Sequence, residues 1–121
     1  MSKFKIITFG CKVNAYESEG FKEDLLSKGF VEAKNDEEAD ICIVNTCAVT
    51  STAERKCLQA VRRMSKANPN ISIGVVGCSS QINKDKYLEI SGVKTVYGNT
   101  EKSRVVQDLI KEVILIMFYH Q

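Results

Sequence analysis

Asp40-Ile41-Cys42-Ile43-Val44-Asn45 is an unbroken apolar run between polar ends. Strict alternation, the mark of a strand with one face in water, is absent from it. A strand apolar on both faces must be covered on both, which is the situation of a central strand in a parallel sheet. On either side of this run the same kinds of segment recur. Phe4 to Phe9 reads as a first strand, Phe30 to Ala33 as a short second, Asp40 to Asn45 as the third, Ile71 to Val76 as the fourth and Lys94 to Tyr97 as the fifth.

Helical segments fill the intervals. Asn14 followed three residues later by Glu17 has the form of a cap-and-glutamate start, for a helix that runs to about Ser27 and is stopped by Gly29. Ser51-Thr52-Ala53-Glu54 has the form of a capping box, opening a long helix that fades near Asn68 before Pro69. Asn83 is placed to cap a short helix to about Ile90, and Asn99 or Thr100 to open a last one. Strand and helix therefore alternate, which predicts an α/β three-layer sandwich. Right-handed crossovers favour a parallel five-stranded sheet of flavodoxin-like order. The stretch Asp36 to Asp40 reads as a solvated acidic turn.

Composition narrows the class. A chain of 121 residues, 44% hydrophobic, fits one compact domain, and a formal net charge of +2 excludes a protein built to package nucleic acid. The first residues carry no secretory apolar stretch, so a cytoplasmic location is expected. The apolar run Val113 to Tyr119 falls well short of the ~20 residues of a membrane span. Five cysteines in a reducing compartment argue against a disulfide framework, and their odd number prevents complete pairing.

Three of those cysteines follow directly on predicted strands: Gly10-Cys11 on the first, Thr46-Cys47 on the third and Gly77-Cys78 on the fourth. In an open parallel sheet the carboxyl ends of the strands form the ligand-binding edge. Helix amino termini there favour thiolate over thiol. Glycine before two of the cysteines allows close approach of backbone and positive φ. Asn14, Asn45, Thr46, Ser79, Ser80 and Gln81 are polar neighbours able to donate hydrogen bonds to a sulfide-containing group. The competing reading is that Cys11, Cys47 and Cys78 are small buried residues at strand ends. Cys42, in mid-strand, and Cys57, on the helical stripe of Ala60, Val61 and Met64, read as core residues. His120, the single histidine, is given no role.

Phe9-Gly10-Cys11-Lys12-Val13-Asn14 with Glu17-Ser18, Val44-Asn45-Thr46-Cys47-Ala48-Val49-Thr50, and Val76-Gly77-Cys78-Ser79-Ser80-Gln81 resemble, in order, the three signature segments of the tRNA methylthiotransferase family. The resemblance covers about residues 3 to 112. It implies that Cys11, Cys47 and Cys78 hold an auxiliary 4Fe-4S cluster with one iron left open, as a site for the sulfur to be inserted. Asn14, Asn45, Thr46, Ser79 and Gln81 would surround it. The wording from Cys11 to Ser18 is similar to the branch that acts on threonylcarbamoyladenosine beside the tRNA anticodon.

The family pattern is incomplete in this chain. Its C-x3-C-x2-C motif, which binds the cluster that activates S-adenosylmethionine, matches no cysteine spacing here. Residues 1–112 are therefore expected to form the iron–sulfur domain, and 113–121 an apolar tail ahead of any radical SAM domain. A separate radical SAM chain would be one partner, tRNA would be reached through the complete enzyme, and the tail could self-associate. A flavodoxin-like binding or electron-transfer module and a noncatalytic interaction fragment are the alternatives. Arg55, Lys56, Arg62, Arg63 and Lys66 form either a solvated helix face or a contact for RNA phosphate.

Overall fold

The computed structural model describes residues 2–10, 12–46, 51–77, 84–98 and 104–119, with the side chains of residues 13, 51 and 115–119 left out. Five strands, β1 (Lys3–Thr8), β2 (Val31–Glu32), β3 (Ile41–Thr46), β4 (Ser72–Gly77) and β5 (Val93–Tyr97), form one sheet in the order β2-β1-β3-β4-β5. Every pairing is parallel. The helices are α1 (Lys12–Ser27), α2 (Ser51–Ala67), α3 (Lys84–Leu88) and α4 (Val105–Tyr119). This is the flavodoxin-like order expected from the alternation of elements.

The central run behaves as its composition requires: all of β3 is buried. Its side chains divide by parity. Ile41 and Ile43 join Phe4, Phe21, Leu25, Val105, Val106 and Leu109 under α1 and α4. Cys42 and Val44 join Cys57, Val61, Met64 and Tyr87 under α2 and α3. Period-two alternation thus feeds two cores from one strand, and a one-residue slip would exchange them. α4 approaches the sheet at Gly74, where a Cβ would stand 2.5 Å from Val105 Cγ2 and 2.9 Å from Leu109 Cδ1. A side chain at that position would have to displace those of Val105 and Leu109.

The element boundaries differ from the sequence reading in instructive places. α1 begins at Lys12, so Asn14 lies inside its first turn and is not a cap. The interior position turns the Asn14 side chain into the protein, where it is fully buried. α2 ends at Ala67, and Asn68 fastens the exit: its Nδ2 donates to Ala39 O at 2.9 Å and its Oδ1 accepts from Asn70 N at 2.9 Å. α4 runs unbroken from Val105 to Tyr119. Val113 is buried in the core while Ile114 is exposed. Among the described residues no helix is long and apolar enough to cross a membrane.

The acidic stretch is also more than a solvated turn. Asp36–Glu38 forms a 3-10 turn capped by Asn35, whose side chain accepts from Glu38 N at 3.0 Å. Asp36 pairs with Lys5 of β1 and, at 3.2 Å, with Arg63 of α2; Glu38 pairs with Lys3 at 3.2 Å. These contacts tie the turn to the sheet and to a helix. The hydrogen bond from Lys5 holds the Asp36 carboxyl below its ordinary value of 3.8, with the Lys5 and Arg63 charges acting in the same direction against partial burial.

Two consequences are measurable. Gly74→Ala should lower the free energy of unfolding by about 1–3 kcal/mol in urea titration, because the added methyl must displace Val105 and Leu109; an unchanged midpoint would mean that α4 does not rest on β4 as described. Asp36→Asn should cost about 0.5–1 kcal/mol at neutral pH. A carboxylate whose folded value is depressed stabilises the fold above its unfolded value, so the deficit should shrink as pH falls below 3.8 and through the lower folded value. A deficit independent of pH would assign the loss to something other than the charge.

Candidate metal centre

At the carboxyl edge of the sheet the strands end in a single row. Thr8 is opposite Asn45, Asn45 opposite Val76, and Val76 opposite Tyr97. One step further, Thr46 is opposite Gly77, and Phe9 N extends the ladder to Asn45 O at 2.9 Å. Cys11, Cys47, Cys78, Ser79 and Gln81 lie outside the described residues. Their immediate predecessors do not: Gly10, Thr46 and Gly77 lead into the three cysteines from β1, β3 and β4, which are neighbours in the sheet. Gly10 has φ 103°, a left-handed conformation that other residues adopt only with strain, whereas Gly77 sits in extended strand.

Below this edge is a polar cluster in which Asn14, Ser18, Asn45 and Thr46 are buried. Asn14 Nδ2 donates to Phe9 O at 2.7 Å and to Thr46 O at 3.2 Å. Asn45 Nδ2 donates to Asn14 O at 3.1 Å and to Ser18 Oγ at 3.3 Å. Thr46 Oγ1 donates to Val76 O at 3.2 Å, and Thr8 Oγ1 and Ser18 Oγ share a hydrogen bond of 2.7 Å. Both amide donors of each asparagine are thus engaged by protein acceptors. In this structure their work is to fasten strand ends to one another and to α1. The oxygens Asn14 Oδ1 and Asn45 Oδ1 are buried with no hydrogen-bond partner among the described residues.

Ser18 and Thr8 were not singled out from the sequence as part of this cluster. A signal was present, however. Asn14, Ser18, Phe21 and Leu25 fall on one face of α1 and are all buried, so the core stripe of that helix is polar at the end that meets the strand termini. Tyr97, at the end of β5, donates its hydroxyl to Asp108 of α4, which anchors the fourth member of the row. Lys12 is exposed on the first turn of α1, and Tyr16 is 82% exposed one turn later.

The two remaining cysteines have a different character. Cys42 and Cys57 are fully buried in the core between the sheet and α2. Burial pushes the Cys42 thiol up to about 12, which keeps it protonated and a poor metal ligand. Among the described residues no group of three or more His, Cys, Asp or Glu side chains could hold a metal ion. Arg63 is drawn out of the helical basic patch by its pairing with Asp36. Arg62 and Lys66 instead face Lys86 and Glu89 across a cleft of about 320 Å³ between α2 and α3.

Comparison with known proteins agrees with this frame. Residues 3–98 match the model of the family described as Uncharacterized protein family UPF0004. The chain is 37% identical over 107 residues to the threonylcarbamoyladenosine tRNA methylthiotransferase MtaB of Chlamydia pneumoniae, an alignment covering 88% of this chain and 25% of that protein. It is 45% identical over 84 residues to the tRNA-2-methylthio-N(6)-dimethylallyladenosine synthase of Pelotomaculum thermopropionicum, covering 67% and 19% respectively. The chain therefore spans about a quarter or less of the length of these curated relatives. In architecture it is similar to a response regulator from Burkholderia pseudomallei, with a TM-score of 0.59 at 14% identity over 97% of this chain and 73% of that one. The match over residues 3–98, with methylthiotransferases as relatives, places the chain in the UPF0004 family.

Proposed function

We propose that this chain is the cluster-holding domain of a tRNA methylthiotransferase, in which Cys11, Cys47 and Cys78 together ligate a 4Fe-4S cluster. The observation that carries the reading is the alignment of strand ends. β1, β3 and β4, whose continuations are the three cysteines, lie side by side and end in register. Strand ends far apart in sequence are thereby brought to one edge.

The residues of this edge suit such a group. Thiolates are the ordinary ligands of iron–sulfur clusters. The positions Thr8 to Gly10, Asn45, Thr46, Val76 and Gly77 include no acidic side chain that would repel an anionic cluster. Gly10, at φ 103°, turns the chain sharply just before Cys11. When bound, a cluster with three protein thiolates leaves one iron open to an added sulfur species, which supplies the sulfur for methylthiolation. The chain's own contribution is to present three thiolates from a rigid sheet edge and to keep the donors beneath them occupied.

The target that fits the relatives is a hypermodified adenosine of tRNA, with threonylcarbamoyladenosine favoured by the sequence from Cys11 to Ser18. Radical chemistry with S-adenosylmethionine would come from a part of the enzyme outside these 121 residues, since no C-x3-C-x2-C spacing occurs in them. Ser79 and Gln81 complete the surroundings of the cluster in this reading, and the enzyme works in the cytoplasm. The exposed cations around the α2–α3 cleft are the surface on which RNA phosphate would lie.

Anaerobic reconstitution of the chain with iron and sulfide tests the reading. About four irons per chain should be retained with the broad visible absorption of a cluster. Cys11→Ser, Cys47→Ser and Cys78→Ser should each abolish most of that uptake, whereas Cys42→Ala and Cys57→Ala, in the core under α2, should leave it intact. Full retention of iron by the Cys47→Ser protein, or uptake of flavin in place of iron, would overturn the assignment.

A further inference from the structure

We infer that Asn14 and Thr46 are positioning residues that hold the three cysteine-bearing strand ends in a fixed mutual arrangement before any cofactor is bound. The inference rests on the reading of Cys11, Cys47 and Cys78 as a joint ligand set, and it concerns how that set is prepared. Asn14 is fully buried on the first turn of α1, and its two amide hydrogens are divided between two different strand ends. One goes to Phe9 O, 2.7 Å away, two residues before Cys11. The other goes to Thr46 O, 3.2 Å away, the residue directly before Cys47.

The orientation of this amide is set by its partners. A flipped side chain would set its oxygen against two carbonyl oxygens, an arrangement without a donor. Thr46 continues the lacing in the other direction, because its hydroxyl donates to Val76 O at 3.2 Å, two residues before Cys78. Two side chains therefore connect the ends of β1, β3 and β4 through carbonyls that lie within two residues of the three cysteines. Asn45 of β3 braces the arrangement against α1, donating to Asn14 O and Ser18 Oγ.

These ties differ from ladder hydrogen bonds in what they fix. The ladder sets register along the strands, but each pairing involves only two neighbours. Asn14 spans from helix to two strands at once, so the first turn of α1, the exit of β1 and the exit of β3 move as a unit. Thr46 adds the exit of β4. Ligand sets held by such supports bind their metal more tightly than the same ligands on loose segments, because less ordering remains to be done on binding. The same buried cluster accounts for the asparagine on a face of α1 that is apolar further along, at Phe21 and Leu25.

The first test uses arsenite on the iron-free full chain, a readout that needs neither cluster assembly nor enzymatic activity. Arsenous acid condenses with three thiols to give an As(SR)3 centre and releases three waters, with no change of oxidation state. It therefore reports whether three thiols stand within reach of one atom. Wild type should bind arsenite in a form lost on Cys11→Ser. Thr46→Val, which exchanges the hydroxyl for a methyl of similar shape, should lower that affinity at least tenfold while the far-UV circular dichroism of the chain is unchanged. Thr46→Ser, which keeps the donor, should restore it. Asn14→Leu should act as Thr46→Val does, and the reconstituted cluster should be lost to a chelator several-fold faster from either variant than from wild type.

Wild-type affinity in both Thr46→Val and Asn14→Leu would overturn the inference while leaving the cluster assignment standing. So would a Thr46→Ser protein as impaired as Thr46→Val, because the loss would then follow from packing and not from the hydrogen bond. If Asn14→Leu fails to fold, the threonine pair alone decides. A wild-type chain that takes up neither arsenite nor cluster would instead overturn the proposed function itself.

Discussion

β3 is paired with a strand on each side over Ile41 to Asn45, and the rest of the sheet is arranged around that fact. Its residues Ile41 to Thr46 are paired with β4, and Ile41 to Asn45 with β1. Because the strands are parallel, their carboxyl ends emerge together. Because β3 is buried on both faces, its register cannot slip without exchanging Ile41 and Ile43 for Cys42 and Val44 in two differently shaped cores. The apolar character of the central strand therefore does two jobs. It holds the sandwich together, and it fixes where the segments that follow β1, β3 and β4 begin.

The carboxyl edge then poses a problem of its own. Strand ends beyond the last ladder bond carry carbonyl groups that need partners, and a buried carbonyl without one is costly. Asn14 donates to Phe9 O and Thr46 O and Thr46 donates to Val76 O, while Asn45 ties β3 to α1 through Asn14 O and Ser18 Oγ. Satisfaction of the backbone and alignment of the strand exits are the same set of hydrogen bonds. At the opposite edge the solution is ionic: Lys3, Lys5, Asp36, Glu38 and Arg63 tie a short turn to β1 and α2 in a more exposed setting. The difference follows from solvent access, since an uncharged network tolerates burial and ion pairs at the surface keep their hydration.

The five cysteines separate on the same grounds. Cys42 and Cys57 are enclosed between the sheet and α2, and burial there pushes the Cys42 thiol up. Cys11, Cys47 and Cys78 instead follow the ends of strands in the sequence. The resemblance of the surrounding segments to methylthiotransferases agrees with that division, and the match to the UPF0004 family spans all five.

Much of this was legible in the chain itself. Unbroken apolarity from Ile41 to Val44, flanked by alternating strand and helix segments, was enough to specify a parallel α/β sandwich, because a strand dry on both faces has few other places to sit. The same reading marked Cys42 and Cys57 as core by their periodicity. What no local pattern could supply was the meaning of Asn14. Its sequence context has the form of a helix cap, and only with β1 and β3 docked against α1 does its amide find Phe9 O and Thr46 O. Likewise the acidic stretch reads as solvated until Lys5 and Arg63 are brought beside Asp36 from two other elements. Propensity and periodicity are properties of neighbours in sequence. A hydrogen bond or ion pair across the sheet depends on distances that exist only once the strands have paired.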